Sequence, residues 1–223
     1  MSPVKPFLIV GLTLAACFTP EERFDDFVEA KKELTADAGG SAGDASGGGN
    51  SEPLKAEQVV GSYSYAISTP VSPTQPTVYL AEVEATPGAG DALNVRLRQR
   101  PLSIMDRVTP VGDFSEWADL VVQPTGLYTT PPITTVVPAA ANSFGLPLTT
   151  TITFTGMFQN PATPAMPDAK VEFFCGTATG TVKEFGQSLD GSTFAASRIP
   201  NPADTSTYPA VVINCNKDPA APL

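Results

Sequence analysis

The chain of 223 residues has a formal net charge of −10, contains 23 prolines and 18 glycines, and has no histidine. A surface this acidic repels nucleic acid and anionic headgroups, so we expect no nucleic-acid partner. The lack of histidine excludes Ser-His-Asp and Cys-His catalysis and removes the commonest protein ligand of metals. We therefore predict no cofactor and no metal, and the proline and glycine content favours turns over long helices.

The N-terminus has the arrangement of an export signal. Lys5 precedes an apolar run from Phe7 to Ala16. Ten residues rise about 15 Å as an α-helix, which is roughly half the thickness of the hydrocarbon core of a membrane. Residues 1–16 are therefore predicted to be a signal peptide rather than a membrane span.

The apolar run ends in Leu14-Ala15-Ala16-Cys17, which resembles the lipobox of bacterial lipoproteins. The resemblance implies that the Cys17 thiol receives diacylglycerol, that the leader is cleaved before it, and that the new amino group is acylated. Phe18 follows, where aspartate would favour the inner membrane, so the resemblance implies the outer membrane of a Gram-negative cell. The periplasmic and the surface-exposed side both stay open. An ordinary secretory signal with an incidental cysteine is the alternative.

Two segments separate this signal from the body of the chain. Residues 17–34 are predicted to be the lipidated N-terminus with a short amphipathic helix over 20–34, where Phe24, Phe27 and Leu34 recur at helical spacing. This helix would dock on the domain, fray, or lie along the membrane, although its acidic face disfavours an anionic surface. Residues 35–53 contain six glycines and no large apolar side chain. We expect a flexible linker with a span of about 25 Å.

Residues 54–223 are predicted to form a single all-β domain, because hydrophobicity alternates with period two from Val59 onward. The clearest local feature is a hairpin of Tyr79–Glu84 with Leu93–Arg98, connected by the turn-forming residues of Thr86–Asp91. The predicted register pairs Val83 with Val95, Ala81 with Leu97, Glu82 with Arg96 and Glu84 with Asn94.

Further strands are predicted near 102–106, 119–123, 132–138, 147–158, 168–175, 179–185, 192–199 and 209–215. Roughly 8–11 short strands indicate an antiparallel β-sandwich or β-barrel. Residues 112–119 are predicted to form one helical turn that places Phe114 and Trp117 under the sheet. We expect the domain to be monomeric.

The three cysteines divide into one lipid site and one pair. With Cys17 assigned to lipid, Cys175 and Cys215 are predicted to form a disulfide, which an exported compartment permits. The bridge would close about 41 residues and contribute on the order of 4 kcal/mol in the chain-entropy model. Two unpaired buried thiols are the alternative.

Two groups of charged residues are candidate sites. Asp106, Asp113, Glu116 and Asp119 have the chemistry of a calcium site or of a glycosidase carboxylate pair, but solvated turns produce the same pattern. Arg96, Arg98, Arg100 and Arg107 could bind an anion. The plainer interpretation is a solvated sheet face, on which Glu82 and Glu84 neutralise the first arginines.

Two neutral features carry weaker functional signals. The strand Thr149–Thr155 is rich in threonine, which is typical of a wet sheet face and is compatible with a sugar-binding or ice-like array. Gly61-Ser62-Tyr63 resembles the Gly-x-Trp motif that opens lipocalins, with tyrosine in place of tryptophan. Gly176–Gly180 lacks the lysine of a phosphate-binding loop.

These observations favour a lipid-anchored, non-enzymatic envelope lipoprotein whose β domain serves in binding or in envelope structure, with its ligand-binding residues unknown. A lipocalin-like carrier of a small apolar ligand is the first alternative, and it would need an interior cavity lined by the faces of Tyr63, Tyr65, Val95 and Leu97. A carboxylate-dependent polysaccharide hydrolase is the second, and it would depend on Asp113 or Glu116.

Overall fold

A computed structural model describes residues 53–159, 161, 166 and 168–223 of the chain. The predicted signal peptide, the lipid site at Cys17, the amphipathic helix and the linker up to residue 52 lie outside the described residues. The elements are, in chain order, α1 (Ala56–Val59), β1 (Gly61–Thr69), β2 (Ser72–Pro87), β3 (Leu93–Pro101), β4 (Ala118–Val122), β5 (Leu127–Thr129), β6 (Ile133–Val137), β7 (Leu148–Phe158), β8 (Phe173–Val182), β9 (Gln187–Ser188) and β10 (Ser192–Arg198).

The strands form an up-and-down antiparallel sheet that curls into a nearly closed barrel. Its order is β4-β3-β2-β1-β10-β8-β7-β5, with β6 beside β7 and β9 beside β8. The two edge strands, β4 and β5, are joined by the tight turn Gln123–Gly126, in which the Gly126 amide donates to the Gln123 carbonyl over 2.8 Å. The all-β prediction is therefore confirmed, and the alternative that the structure supports is the barrel.

Alternation along the strands sets the inside of the barrel. In β3, Leu93, Val95 and Leu97 are buried, while Asn94 and Arg96 between them are exposed. The buried positions of the other strands meet these side chains in one continuous hydrophobic core. The alternation of buried and exposed side chains therefore defines an inner and an outer face. Because the inner face is packed, a binding site is expected on the outer face or at one of the two ends of the barrel.

The predicted β2–β3 hairpin is present, but its predicted register is wrong by two residues. Val83 pairs with Leu97, Ala85 with Val95, Glu82 with Arg98 and Glu84 with Arg96. The shift arises because Thr86 and Pro87 extend β2, so that the turn is Gly88–Ala92 and closes with a 2.8 Å hydrogen bond from the Gly88 amide to the Ala92 carbonyl. A shift of two preserves which face each side chain occupies, so the inside-outside assignment is unchanged.

One end of the barrel is filled, and we call it the closed end. Helix α1 lies there, and Leu54 and Val59 are buried together with Tyr63, Phe158 and Phe174. Val59, which the alternating pattern assigned to the first strand, is therefore the last residue of a short helix, and β1 begins at Gly61. Aromatic rings fill this end: the centroids of Phe158 and Phe174 are 4.5 Å apart, and those of Tyr63 and Phe174 are 5.0 Å apart.

A C-terminal segment covers part of the outer face. Tyr208 and Val211 pack against a second cluster that contains Ala66, Leu80 and Ile199, which is why β1 and β2 are buried on both faces. The Cys175–Cys215 disulfide fastens this segment to β8 and confirms the predicted pairing, with a Cα–Cα distance of 5.2 Å.

Three other predicted elements are wrong. Residues 102–106 and 209–215 each contribute one isolated bridge rather than a strand, so that Cys215 lies in a turn. Residues 112–117 are irregular rather than helical, because arginines on β3 hold Phe114 and Trp117 against the outside of the sheet. The short strands β5 and β9 were not predicted.

The two strands predicted near 168–175 and 179–185 are one strand, β8. Gly176 lies in the predicted break at 176–178, and Gly180 lies in the second predicted strand. In the barrel these glycines allow close approach of β7: a Cβ at Gly176 would collide with the Thr155 carbonyl oxygen, and one at Gly180 with the Thr151 carbonyl oxygen. The glycines therefore mark strand packing rather than a chain reversal.

Candidate functional site

The end of the barrel opposite α1 contains a cavity, and we call it the open end. It lies where β1 gives way to β2, and its inner wall includes Ile67, Tyr79, Leu148 and Ile152. The volume of the cavity is about 50 Å³. That is room for a few water molecules, or for a small group of a ligand.

Uncharged side chains line the cavity. Among the described residues around it, none is Asp, Glu, Lys or Arg, although the chain carries a net charge of −10. The ionisable group in the lining is the phenol of Tyr79, and burial raises its pKa well above its ordinary value. The cavity is therefore neutral across the ordinary pH range, and it suits a mainly apolar molecule.

Thr150 is the buried polar residue of the inner wall. It lies on β7 between Leu148 and Ile152, is 6% exposed, and its hydroxyl has no hydrogen-bond partner among the described residues. Gln99 and Ser192 also carry buried side-chain atoms without a described partner; they lie on the inward face with Leu97 and Phe194, and neither lines the cavity. Buried polar groups are nearly always satisfied, so an unsatisfied one beside a cavity indicates a place where another molecule can bind.

Two exposed aromatic rings form the rim of the open end. Phe144 comes from the loop after β6, and Phe185 comes from the turn between β8 and β9; their centroids are 5.4 Å apart. They are 46% and 49% exposed, respectively, so the rim presents apolar aromatic surface to the solvent beside the cavity.

The loops that carry the rim are held in place by side chains. Asn142 donates to the carbonyls of Pro138 and Leu146, both over 2.8 Å, and accepts from the Phe144 amide. The Glu184 carboxylate accepts a 2.8 Å hydrogen bond from the Thr149 amide, and this bond lowers the pKa of Glu184. The rings are therefore presented on ordered supports.

Polar groups at the closed end are satisfied instead. The Arg198 guanidinium donates to the carbonyls of Val171, Val60 and Gln58 over 2.7, 3.0 and 2.8 Å, and to the Tyr63 hydroxyl over 2.6 Å. Burial raises the pKa of Tyr63, and Arg198 opposes that shift. Gly61 is required here, because a Cβ would collide with the guanidinium.

The predicted arginine strip lies on the outer face, where most of its charge is engaged. Arg96 contacts Glu84 at 3.4 Å and Asp119 at 3.5 Å, and Arg98 pairs with Glu82. The Arg96 and Arg98 guanidinium groups lie 4.8 and 4.5 Å from the Trp117 ring. The carboxylates therefore balance the charge of these two arginines, and the arginine–ring contacts hold residues 112–117 against the sheet.

The other two arginines of the predicted strip take separate roles. Arg100 donates to the Gly112 carbonyl over 2.7 Å. Arg107 lies beyond the end of β3 in a left-handed turn with φ of 58°, and partial burial lowers its pKa. The four arginines therefore do not form one anion site.

The predicted carboxylate cluster is not assembled into a metal site. Asp106 accepts from the backbone amides of Val108 and Thr109 and from the Thr109 hydroxyl, which lowers its pKa and makes it a turn residue. Asp113 and Glu116 are exposed, and Asp119 faces Arg96. In the part of the chain that the structure describes, no three His, Cys, Asp or Glu residues are grouped so that they could hold a metal ion.

The threonines of β7 divide between the two faces. Thr151, Thr153 and Thr155 lie on the outer face opposite threonines of β8. Hydroxyl pairs extend the array to the edge strands, with Thr151 and Thr134 2.9 Å apart and Thr155 and Thr129 3.2 Å apart. Thr150 points the other way, into the barrel.

The cavity was not predicted from the sequence, because its lining residues come from several strands that are distant in the sequence and from the loops that carry Phe144 and Phe185. A local signal did exist at Thr150: it is polar at a position where Leu148 and Ile152 predict an inward face. The exposed phenylalanines in the glycine-containing turns 143–146 and 183–186 were a second signal.

Comparison with protein-family models, curated proteins and solved structures finds no match for the chain. Within the described ranges, no helix is both long and apolar enough to cross a membrane.

Proposed function

We propose that the chain is a lipid-anchored, non-enzymatic binding protein of the bacterial cell envelope, and that the open end of its barrel is the binding site. The observation that carries this proposal is the cavity of the open end, with its uncharged lining and exposed aromatic rim. Eight-stranded up-and-down barrels hold one small ligand in proteins such as the lipocalins. The order of the strands is compatible with a small ligand, and the cavity of the open end provides the place for it.

The interior cavity that the carrier hypothesis needs is not present in the described part of the chain, which counts against a barrel that encloses its ligand, and the proposed site lies at the end of the barrel. Tyr63, Tyr65, Val95 and Leu97 belong to the packed core, and none of them lines the cavity. A small ligand, or one end of a longer one, fits such a position. The rest of a longer ligand would lie across Phe144 and Phe185.

The absence of catalysis is part of the proposal. The chain has no histidine for acid–base or nucleophilic chemistry. Asp113 and Glu116, on which the hydrolase alternative depends, are exposed residues of the outer face rather than of the cavity. A binding role uses the groups that the cavity contains.

The anchor is supported by the lipobox sequence that ends at Cys17. A Cys17→Ser variant should lose metabolic labelling with a fatty acid and should leave the membrane fraction. A variant that is still labelled and still sediments with the membrane would disprove anchoring at this residue.

Binding can be tested on the full chain with the Cys17→Ser change, which avoids detergent. The probe is N-phenyl-1-naphthylamine, an uncharged aromatic dye whose fluorescence rises in an apolar site. We expect saturable binding, and Ser143→Trp at the rim should weaken it about tenfold by filling the entrance. Ser143 is exposed, so the variant is expected to fold.

Val136→Trp is the matched control. Val136 is exposed on β6 and does not line the cavity, so the same tryptophan there should leave dye affinity unchanged. If the dye fluorescence does not saturate, or if the two variants lose the same amount of dye affinity, the proposal that the open end is the binding site is wrong.

A further inference from the structure

Among the described residues, the lining of the cavity contains hydrogen-bonding groups but no formally charged side chain, and this combination restricts its ligand. We infer that it selects an uncharged molecule that carries a hydroxyl group on an aromatic ring, and that Thr150 recognises the hydroxyl. The inference rests on the proposed function, because it concerns which ligand the open end accepts.

Charge is excluded by the surroundings of the cavity. An ion that enters an apolar cavity loses its hydration, and this loss is offset only when an opposite charge or several hydrogen bonds replace the water. The lining described above supplies no opposite charge, and Tyr79 stays protonated because burial raises its pKa. A carboxylate or an amine should therefore bind more weakly than a neutral molecule of the same shape.

A wholly apolar ligand would leave the Thr150 hydroxyl unsatisfied. That hydroxyl is buried within the inner wall and has no described partner. Its hydroxyl and methyl groups exchange places by a rotation of about 120° between staggered rotamers, so either group can be turned toward a ligand. A ligand hydroxyl can both donate to Thr150 and accept from it, because each hydroxyl has one donor and two acceptor sites.

The rim favours an aromatic ring over an alkyl chain. The planes of Phe144 and Phe185 are tilted by 46°, with the centroids 5.4 Å apart. Aromatic pairs prefer tilted or offset contacts at such distances. Because both phenylalanines line the same cavity as Thr150, we expect a ligand ring to contact them and its hydroxyl to reach Thr150.

The experiment compares three probes of similar size, toluene, p-cresol and 4-methylbenzoate, by their ability to displace the dye from the full chain that carries Cys17→Ser. We expect p-cresol to bind about fivefold more tightly than toluene, which is the usual effect of one hydrogen bond. The anionic 4-methylbenzoate should be the weakest of the three. Thr150→Val should remove the preference for p-cresol over toluene.

Thr153→Val is the matched control, because Thr153 lies on the same strand with its side chain on the outer face. It should keep the p-cresol preference. If toluene binds as well as p-cresol, or if Thr150→Val keeps the preference, the inference fails while the proposed function stands. If the dye itself does not bind, the proposed function fails as well.

Discussion

The two ends of the barrel are made from the same strands, yet they differ in how polar groups are hydrogen-bonded and in how far aromatic rings are buried. At the closed end, Arg198 satisfies three carbonyls and the Tyr63 hydroxyl, and the aromatic rings are buried. At the open end, the Thr150 hydroxyl has no described partner, and Phe144 and Phe185 are exposed. A fold tolerates unsatisfied groups and exposed rings where function requires them, so the difference separates the end that stabilises the barrel from the end proposed to bind.

The sharpest test of this division is one substitution made at both ends. Phe174→Ala at the closed end should lower the free energy of unfolding by about 4 kcal/mol, because the ring is fully buried and contacts the rings of Tyr63 and Phe158. Phe185→Ala at the open end should lower it by less than about 1 kcal/mol. Urea unfolding measures both values.

The same pair should reverse its order in binding. Phe185→Ala should weaken binding of the dye about fivefold, while Phe174→Ala should leave the affinity of the folded fraction near that of the parent chain. Equal stability losses at the two ends would show that the rim is part of the structural core, and the division would then be wrong.

A second test compares two arginines. Arg198→Met should lower the free energy of unfolding by about 3 kcal/mol, since the guanidinium is 13% exposed and its loss leaves several acceptors without a donor. Arg96→Met on the outer face should cost less than about 1 kcal/mol, because that side chain is 50% exposed and its ion pairs are solvated. Thermal unfolding of the two variants decides this, and similar values would contradict the role given to Arg198.

Arg198 also shows what the sequence was able to predict. The all-β class, the inward faces and the disulfide followed from alternation and cysteine count, because these are local patterns or simple arithmetic, whereas the choice between sandwich and barrel did not follow. The use of Gly61 did not follow, since the guanidinium that it accommodates lies 137 positions away along the chain.

The errors have similar causes. One strand was predicted as two, with a break at 176–178, because the close approach of β7 to Gly176 cannot be seen from one segment. A helical turn was predicted for Phe114 and Trp117 because the arginine partners on β3 that hold them in an irregular segment could not be inferred from local sequence. The cavity depends on where loops from different strands meet, which is the least local property of the fold.

The substitution Thr150→Val is expected to change the free energy of unfolding by less than the substitutions at the closed end and in the opposite direction. Thr150→Val should raise the free energy of unfolding by about 1 kcal/mol, because it removes a buried hydroxyl without a described partner. The Thr153→Val control should change stability by less than about 0.5 kcal/mol. Stability is measured by urea unfolding without ligand, and a loss in Thr150→Val would mean that the hydroxyl supports the fold rather than the ligand.

The smallest expected effect is the response of the open end to acid. Glu184 holds the turn of Phe185 by accepting from the Thr149 amide, which lowers its pKa below the ordinary value of 4.5, and Lys183 lowers it further. Because the folded pKa is depressed, the stabilisation is present above 4.5 and is lost as the pH falls through the lower folded value. Tyr79 does not titrate below its ordinary value of 10.0, because burial raises its pKa. Dye affinity should therefore be constant between these two pH values and should decline by about twofold in acid, since exposed charge interactions are weak.

Glu184→Gln separates this effect from general acid unfolding. The glutamine amide oxygen can still accept from the Thr149 amide but does not titrate, so the variant should bind the dye normally at neutral pH and lose the acid decline. Circular dichroism at each pH verifies that the barrel is folded. If the variant declines in acid as the parent chain does, the turn is not held by this carboxylate, and the order of the rim at the open end must come from the Asn142 loop and from the contact between the two phenylalanines.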